Sequence, residues 1–318
     1  MNKLRAGLAP SPFKGEGWGE GGTDSGGGSL SKTWTERRLA LAHGTLVLRQ
    51  AAPDAPGLPV LLLHGISSGA GSWHALASAL PGRRLLAWDA PGYGQSAPLP
   101  GHAPSADRYA EAAALMLYEL GLRQALLVGH SLGAIVATAL AARLLANADG
   151  PQPAGLLLLS PAVGYASDPT RAAQVRAERL QGLADLGVAG LAQTVSRRLL
   201  SAQASPAQHA QIAQVAQGLT ALGYAQAVHL LSSSDLPSLA APFQQSLVGQ
   251  DGAQPRLPAR VACGSDDIVT PPAACAALAS RPGLPFTLLP GAGHACAVQQ
   301  PQAVAALIAA LLMNHETA

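Results

Sequence analysis

Short apolar runs alternate with longer segments of helical periodicity along most of this chain. Continuous apolar runs that end at Gly, Pro or Ser predict buried strands, as in GLPVLLLHG, RRLLAWDAPG, QALLVGH and AGLLLLSPA. A hairpin around Gly44 and two runs near the end of the chain predict further strands: RRLALAHGTLVLRQA, ARVACG and PFTLLPG. The alternation predicts an α/β fold, with an eight-stranded, mainly parallel sheet and helices on both of its faces.

One long segment interrupts this alternation. Residues 165–252 contain no convincing strand, and Ala, Gln, Leu and Arg recur there at helical spacing. We expect three to five helices, inserted between the sixth and seventh strands as a helical cap, or lid. Such an insertion would lie over the carboxyl ends of the strands, where open α/β sheets bind their ligands. The predicted core is therefore residues 32–164 together with residues 253–318.

Residues 1–31 differ from the rest of the chain. The stretch SPFKGEGWGEGGTDSGGGS has no period of a strand or a helix and too few apolar residues to bury a core. It also lacks the continuous apolar segment of a secretory signal. We interpret residues 1–31 as a disordered leader or an over-extended translation start.

Composition narrows the function classes. The 318 residues carry a net charge of only +2, without a long basic run, which argues against nucleic acid as a partner. The apolar runs are too short to span a membrane. The three cysteines have no C-x-x-C spacing, and no metal-binding or dinucleotide-binding motif occurs. These features predict a cytoplasmic protein without a metal or other cofactor; the sequence carries no signal of oligomeric state.

The stretch LVGHSLGA, at residues 127–134, places Ser131 in the tight turn between a strand and a helix. A turn this short forces its central residue into a sparsely populated backbone conformation, and the flanking Gly129 and Gly133 remove the resulting clashes. The serine is thereby lifted clear of the sheet, beside a helix N-terminus that favours negative charge. This G-x-S-x-G pattern predicts a nucleophile elbow with Ser131 as the nucleophile.

A serine nucleophile requires a base and usually a carboxylate that orients the base. His294 is the best placed of nine histidines, because it lies on a Gly-rich loop after the last strand, LLPGAGHACAVQQP. His130 adjoins Ser131 and should point away from the tip, and His64 is expected to shape its own loop. For the carboxylate, Asp267 at the end of the seventh strand is favoured, with Asp266 as the alternative.

Two further groups of residues are candidates for substrate contacts. The backbone N–H groups of Leu132 and Ile66 would stabilise an oxyanion, since one follows the nucleophile and the other lies in the loop after LLLHG. In the cap, His229 and Tyr224 are candidate substrate-binding residues.

Five motifs resemble the α/β-hydrolase superfamily in order and spacing: HGISSGAGSW, DAPGYGQS, GHSLGA, GSDDIVTPP and GAGHACAVQQP. The resemblance extends from about residue 34 to residue 313. It implies a Ser131–Asp267–His294 triad, with the chain order typical of this superfamily. Two cap segments, RLQGLADLGVAGLAQTVSRRLLS and LGYAQAVHLLSSSDL, loosely resemble the branch that contains 3-oxoadipate enol-lactonase and related esterases.

The resemblance implies a cofactor-free serine hydrolase that cleaves a small carboxylic ester or lactone through an acyl-enzyme. Two alternatives stay open: a C–C bond hydrolase or cofactor-free peroxidase with the same triad, and a non-catalytic ligand-binding protein on this scaffold. Ala295 and Cys296 follow His294 where many C–C bond hydrolases carry Trp, which weakens that alternative. A serine at the elbow disfavours dehalogenases and epoxide hydrolases of this fold, which use Asp there.

Overall fold

The computed structural model describes residues 34–247 and 256–316, with side chains to residue 313. The predicted leader at residues 1–31 and the junction at residues 248–255 lie outside the described residues. Eight strands form one sheet: β1 (Trp34–Leu41), β2 (Gly44–Ala51), β3 (Val60–Leu63), β4 (Leu85–Asp89), β5 (Gln124–His130), β6 (Gln152–Leu159), β7 (Ala259–Gly264) and β8 (Phe286–Leu289).

The strand order in the sheet is β1-β2-β4-β3-β5-β6-β7-β8. β2 pairs antiparallel with both β1 and β4, and the other strand pairs are parallel. The predicted eight-stranded, mainly parallel sheet is therefore confirmed. The β1–β2 pair is antiparallel because the short turn at Gly44 joins the two strands, which must then run in opposite directions.

Eleven α-helices lie in the described residues: α1 (His74–Ala79), α2 (Ala106–Glu119), α3 (Leu132–Leu145), α4 (Pro169–Leu199), α5 (Pro206–Ala216), α6 (Ala221–Ser233), α7 (Leu236–Ala240), α8 (Gln244–Leu247), α9 (Pro272–Ser280), α10 (Cys296–Gln299) and α11 (Pro301–Glu316). Short 3₁₀ helices precede α1 and α8, at Ala70–Trp73 and Ala241–Phe243. α4 is interrupted at Gly187, whose backbone (φ 60°, ψ 179°) is not helical.

The central strands are apolar on both faces because the sheet is covered on both faces. In β3, Leu61 and Leu63 belong to one hydrophobic cluster, and Val60 and Leu62 belong to the cluster on the opposite side. All four side chains are fully buried. The continuous apolar runs in the sequence thus follow from the period of two in a strand with two buried faces.

Helices α4–α8 connect β6 to the segment before β7; we call residues 165–247 the helical insert. Polar side chains of the insert bond directly to loops of the sheet domain. Thr220 donates to the carbonyl of Gly92 at 2.6 Å, and Gln226 donates to the carbonyls of Leu99 and Gly101, both at 2.7 Å. These bonds fix the insert against the loops; the exact division of the chain into core and cap stays a prediction.

The turn from β5 to α3 contains strained backbone at Ser131, one of three non-glycine residues with positive φ in the described residues. Ser131 has φ 54° and ψ −117°, a left-handed conformation that is costly for a residue with a side chain. Its backbone is held on both sides, because its N–H donates to Leu159 (3.0 Å) and its carbonyl accepts from Ala134 (3.0 Å).

Glycines make this turn possible. A Cβ at Gly129 would lie 2.6 Å from the Cα of Ala134. A Cβ at Gly133 would lie 2.8 Å from the carbonyl oxygen of His64 and closer still to that of Leu63. Both glycines thus allow α3 to begin directly against β5 and the end of β3, where a side chain would have no room.

Two buried histidines stand at the carboxyl ends of adjacent parallel strands. His64 donates from Nδ1 to the carbonyl of Gly65 (2.8 Å) and accepts the N–H of Ala90 at Nε2 (3.0 Å), so its tautomer is fixed. His130 donates from Nε2 to the carbonyl of His294 at 2.8 Å.

Burial lowers the pKa of His64. Burial, followed by the neighbouring His294 ring, lowers the pKa of His130 to about 3. Both rings are therefore neutral at pH 7.

Packing at the turn predicts a pair of opposite stability changes. Gly133→Ala should lower the free energy of unfolding by about 2 kcal/mol or more, because its new methyl group meets backbone that cannot rotate away. Gly182→Ala is the control, since its Cβ would meet no atom within 4 Å and alanine favours the helix by roughly 0.5–1 kcal/mol. Urea unfolding followed by circular dichroism measures both changes, and equal midpoints for the two variants would contradict the packing described.

The two buried histidines predict a loss of stability in mild acid. Their pKa values are lower in the folded than in the unfolded state, so the unfolded state binds more protons below the ordinary pKa of 6.5. Stability should be flat above that pH and should fall below it, by at most about 1.4 kcal/mol per pH unit for each histidine. His130→Gln should reduce this slope in urea titrations between pH 7 and pH 4. His209→Gln on α5 is the control and should keep it.

Candidate active site

A cavity of about 600 Å³ opens at the carboxyl ends of the strands, between the sheet domain and the helical insert. Five of the residues predicted from the sequence line it: Ile66, Ser131, Leu132, Tyr224 and His294. Asp267 lies behind His294. His229 is not among the lining residues. The structure thus brings the predicted catalytic residues to one place and separates them from one predicted cap residue.

Ser131 lies at the N-terminus of α3, facing the cavity. Its side chain is largely buried, with a relative exposure of 6%. The free N–H groups and the dipole at this helix end favour negative charge beside the serine. A Cβ at Gly65 would lie only 3.0 Å from Cβ of Ser131, so the loop after β3 packs closely against the serine.

His294 and Asp267 form a buried pair. Nδ1 of His294 lies 2.9 Å from Oδ2 of Asp267, and both side chains are almost completely buried. Since Nδ1 is bound to the carboxylate, Nε2 is the ring nitrogen left for a group in the cavity. Asp266, the alternative carboxylate, is exposed and accepts a hydrogen bond from Ser265 at 2.7 Å. The geometry therefore favours Asp267 as the partner of His294.

Hydrogen bonds hold the Asp267 carboxylate in its charged form. Oδ1 accepts the N–H groups of Val269 (2.8 Å) and Thr270 (2.9 Å), and Oδ2 accepts the hydroxyl of Thr270 (2.8 Å). Burial acts to raise the pKa of this carboxyl group, but the bond from His294, the His294 charge and the N–H of Thr270 outweigh burial. The pKa of Asp267 is consequently lower than its ordinary value.

Thr270 and His130 support the pair in ways that the sequence analysis missed. The hydroxyl of Thr270 lies 3.2 Å from Nδ1 of His294 as well as near Asp267. The pattern D-x-x-T is a local signal for such a carboxylate-capped turn. His130, which was expected to point away from the tip of the elbow, donates from Nε2 to the carbonyl of His294, whose ring centroid is 4.8 Å from that of His130. Because 164 residues separate these two histidines, no local pattern could reveal the contact.

The predicted oxyanion donors, Leu132 and Ile66, both line the cavity, one at the start of α3 and the other in the loop after β3. Leu132 is the first residue of α3, and the first N–H groups of a helix have no acceptor within it. The N–H of Ile66 has no acceptor among the described residues, whereas its carbonyl accepts the hydroxyl of the buried Tyr93 at 2.7 Å. Tyr93 thereby fixes the loop that carries this N–H. Their joint role as an oxyanion hole stays a prediction.

In the insert, Tyr224 lines the cavity and is nearly buried, with a relative exposure of 4%. Its hydroxyl lies 3.5 Å from Nη1 of Arg179, a second cavity residue that the sequence analysis did not single out. His229 is half-buried beside Arg176 and His102, whose charges add to burial in lowering its pKa.

Residues 34–247 and 256–316 contain no group of three or more His, Cys, Asp or Glu side chains suited to a metal ion. Within the same ranges, no helix is both long and apolar enough to cross a bilayer.

Known structures with this fold include two hydrolases that match nearly all of the described chain. A thermophilic esterase from Thermogutta terrifontis is 25% identical, with a TM-score of 0.66, over 88% of this chain and 99% of that one. The enol-lactonase from Burkholderia xenovorans LB400 is 21% identical, with a TM-score of 0.73, over 87% of this chain and 100% of that one. The second likeness shows the fold alone.

One characterised relative has a shorter match. Lipase LipV from Mycobacterium tuberculosis (strain ATCC 25618 / H37Rv) is 38% identical over 119 residues. These residues make up 37% of this chain and 42% of the lipase, so the match spans less than half of that relative.

The family is shown by a longer match. The sequence model of the alpha/beta hydrolase family matches residues 60–307, from the start of β3 into α11. That range includes the elbow, the loop after β7 and the loop after β8. This chain therefore belongs to the alpha/beta hydrolase family.

Proposed function

We propose that this chain is a serine hydrolase that cleaves a small carboxylic ester or lactone through an acyl-enzyme on Ser131. Membership of the alpha/beta hydrolase family supports hydrolase activity on a small-molecule substrate. The observation that carries the finer proposal is the buried His294–Asp267 pair, at 2.9 Å, in the wall of the cavity that Ser131 faces.

In the proposed reaction, Oγ of Ser131 attacks the carbonyl carbon while Nε2 of His294 takes the hydroxyl proton. Asp267 accepts a hydrogen bond from the Nδ1–H of His294. It thereby selects the tautomer of His294 in which Nε2 carries no proton, and it stabilises the imidazolium that forms. Its lowered pKa suits this role, because the carboxylate stays charged at neutral pH.

The N–H groups of Leu132 and Ile66 would donate to the oxyanion of the tetrahedral intermediate. Such donors act mainly on charge that develops during the reaction, and each contributes on the order of 10²-fold or more to the rate. The intermediate then expels the alcohol, which takes the proton from His294. Water next attacks the acyl-enzyme with His294 again as the base, which releases the acid and restores Ser131.

Size and lining of the cavity support a small substrate. A volume of about 600 Å³ lies within the usual range for small-molecule sites. Aliphatic side chains of the insert, such as Val175, Leu191, Val195 and Leu231, line it beside the polar groups around Ser131. These residues would exclude water from the acyl-enzyme and hold the apolar part of an ester.

Ser131→Ala should abolish hydrolysis of p-nitrophenyl acetate, with a loss on the order of 10⁶-fold in kcat, because the nucleophile and its base act as a unit. Steady-state kinetics and mass spectrometry after treatment with a fluorophosphonate, which should modify Ser131 alone, measure this. Ser67→Ala, at a second serine that lines the cavity, is the control and should keep activity within about tenfold. Retention of more than a tenth of the activity by Ser131→Ala would assign the nucleophile elsewhere, and tight ester binding without turnover by the unmodified protein would favour a binding protein.

Two adjacent aspartates provide a matched test of the carboxylate. Asp267→Asn should lower kcat by about 10³- to 10⁴-fold with little change in KM, because an amide at this position favours the wrong tautomer of His294. Asp266→Asn should cost roughly tenfold or less, since that side chain is exposed and bonds only to Ser265. Kinetics of both variants on one activated ester separate them, and the reverse ranking would transfer the role to Asp266.

A further inference from the structure

One face of the first half of α4 lines the cavity. Arg171, Val175, Arg179 and Gly182 are lining residues that recur every three or four positions, which is the spacing of a single helix face. This face adds charged side chains to the aliphatic residues of the insert that line the cavity, and neither the triad nor the oxyanion donors account for these charges.

The charges along the cavity are mostly positive. Three arginines, Arg171, Arg179 and Arg198, line it together with one acid, Glu178. The carboxylate of Glu178 accepts the side-chain amide of Gln174 at 2.8 Å. In the part of the chain that the structure describes, none of the three arginines has a carboxylate within ion-pair distance.

Arg179 is the least exposed of the three. It is half-buried, while Arg171 and Arg198 are exposed. Its one side-chain partner among the described residues is the hydroxyl of Tyr224, at 3.5 Å. A guanidinium carries five N–H donors in a planar fork that matches a carboxylate. A half-buried guanidinium with one long hydrogen bond and no counter-ion can therefore still bind an anion strongly.

We propose that Arg179 determines substrate specificity by binding a carboxylate on the substrate, so that the preferred substrates are esters whose acyl chain ends in an anionic group. This inference rests on the proposed function, since it places the ester carbonyl at Ser131 and the anionic end at α4. Arg171 and Arg198 increase the positive potential of the cavity, and Tyr224 positions the Arg179 side chain.

Two esters of equal shape test the proposal: the mono-p-nitrophenyl ester of heptanedioic acid and its terminal primary amide, which lacks the charge. The unmodified protein should prefer the acid by roughly 10- to 100-fold in kcat/KM, mainly through KM, as expected for hydrogen bonds to a charged group. Added salt should weaken this preference.

Substitutions on α4 assign the preference to one side chain. In Arg179→Gln the ratio between the two esters should fall close to one, and Arg179→Lys should restore part of it, since charge returns without the planar fork. Arg197→Gln is the matched control, because Arg197 is exposed on the same helix, does not line the cavity, and loses the same charge. It should keep the full preference.

Three outcomes would overturn the inference: no preference in the unmodified protein, a preference that survives Arg179→Gln, or an equal loss of preference in Arg197→Gln. The last would indicate only a long-range electrostatic field.

The proposed function is judged separately, by hydrolysis of the amide ester and by the loss of that hydrolysis in Ser131→Ala. If neither ester is hydrolysed, the proposed function fails, and thermal unfolding with heptanedioate decides the inference. The dianion should then raise the Tm of the unmodified protein and of Arg197→Gln, and not that of Arg179→Gln.

Discussion

The candidate site depends on one constraint, the contact of backbone against backbone where β5 turns into α3. A side chain at Gly129 or Gly133 would overlap the neighbouring main chain, so α3 could not begin directly after β5. The positive φ of Ser131 is the local cost of this close turn, and hydrogen bonds to Leu159 and Ala134 hold the conformation. Because these bonds fix the backbone, the main chain sets the position of the Ser131 side chain at the cavity.

The same turn also determines which charged and polar groups meet at the site. The turn places Ser131 at a helix N-terminus, and the loops after β7 and β8 bring Asp267 and His294 to the same edge of the sheet. A buried carboxylate is unfavourable unless several donors satisfy it, and Asp267 has four within 3 Å: two N–H groups, one hydroxyl and the imidazole. Burial at the edge of the sheet thus strengthens the interaction between Asp267 and His294. The hydrogen bonds from the turn at Val269 and Thr270 offset the cost of burying the Asp267 carboxylate.

Features set by neighbouring residues could be predicted from the sequence. The strands follow from runs buried on both faces, and the elbow follows from a serine between two glycines. The kink in α4 lies at Gly187, where the periodic segment RAAQVRAERLQGLADLG ends. Asp267 and Asp266 could be ranked but not separated, because a turn rather than a regular strand decides which of two adjacent side chains is buried.

Contacts between distant segments could not be predicted. The bond from His130 to His294 depends on how two distant segments pack, and Arg179 lines the cavity only because the helical insert packs at the carboxyl ends of the strands. Tyr224 and His229 illustrate a further difficulty. They lie five positions apart on α6, which places them about 140° apart around the helix axis. One can therefore line the cavity while the other lies near Arg176 and His102, and the sequence alone did not establish which face was inward.

Glycine contacts also connect the two parts of the cavity wall. Gly92, in the loop after β4, packs against Gly223 of α6, and a Cβ at Gly92 would lie 2.6 Å from the Cα of Gly223. Thr220 caps α6 and also donates to the carbonyl of Gly92, so the start of this helix is fixed to the loop after β4. Ser131, Asp267 and His294 all lie on loops at the carboxyl ends of the strands, and the end of α4 contacts one of these loops, since Leu199 accepts the N–H of Ala295 at 2.7 Å. In the proposed function, loops of the sheet carry the groups that act on the substrate carbonyl, and the inner faces of the insert select the acyl group.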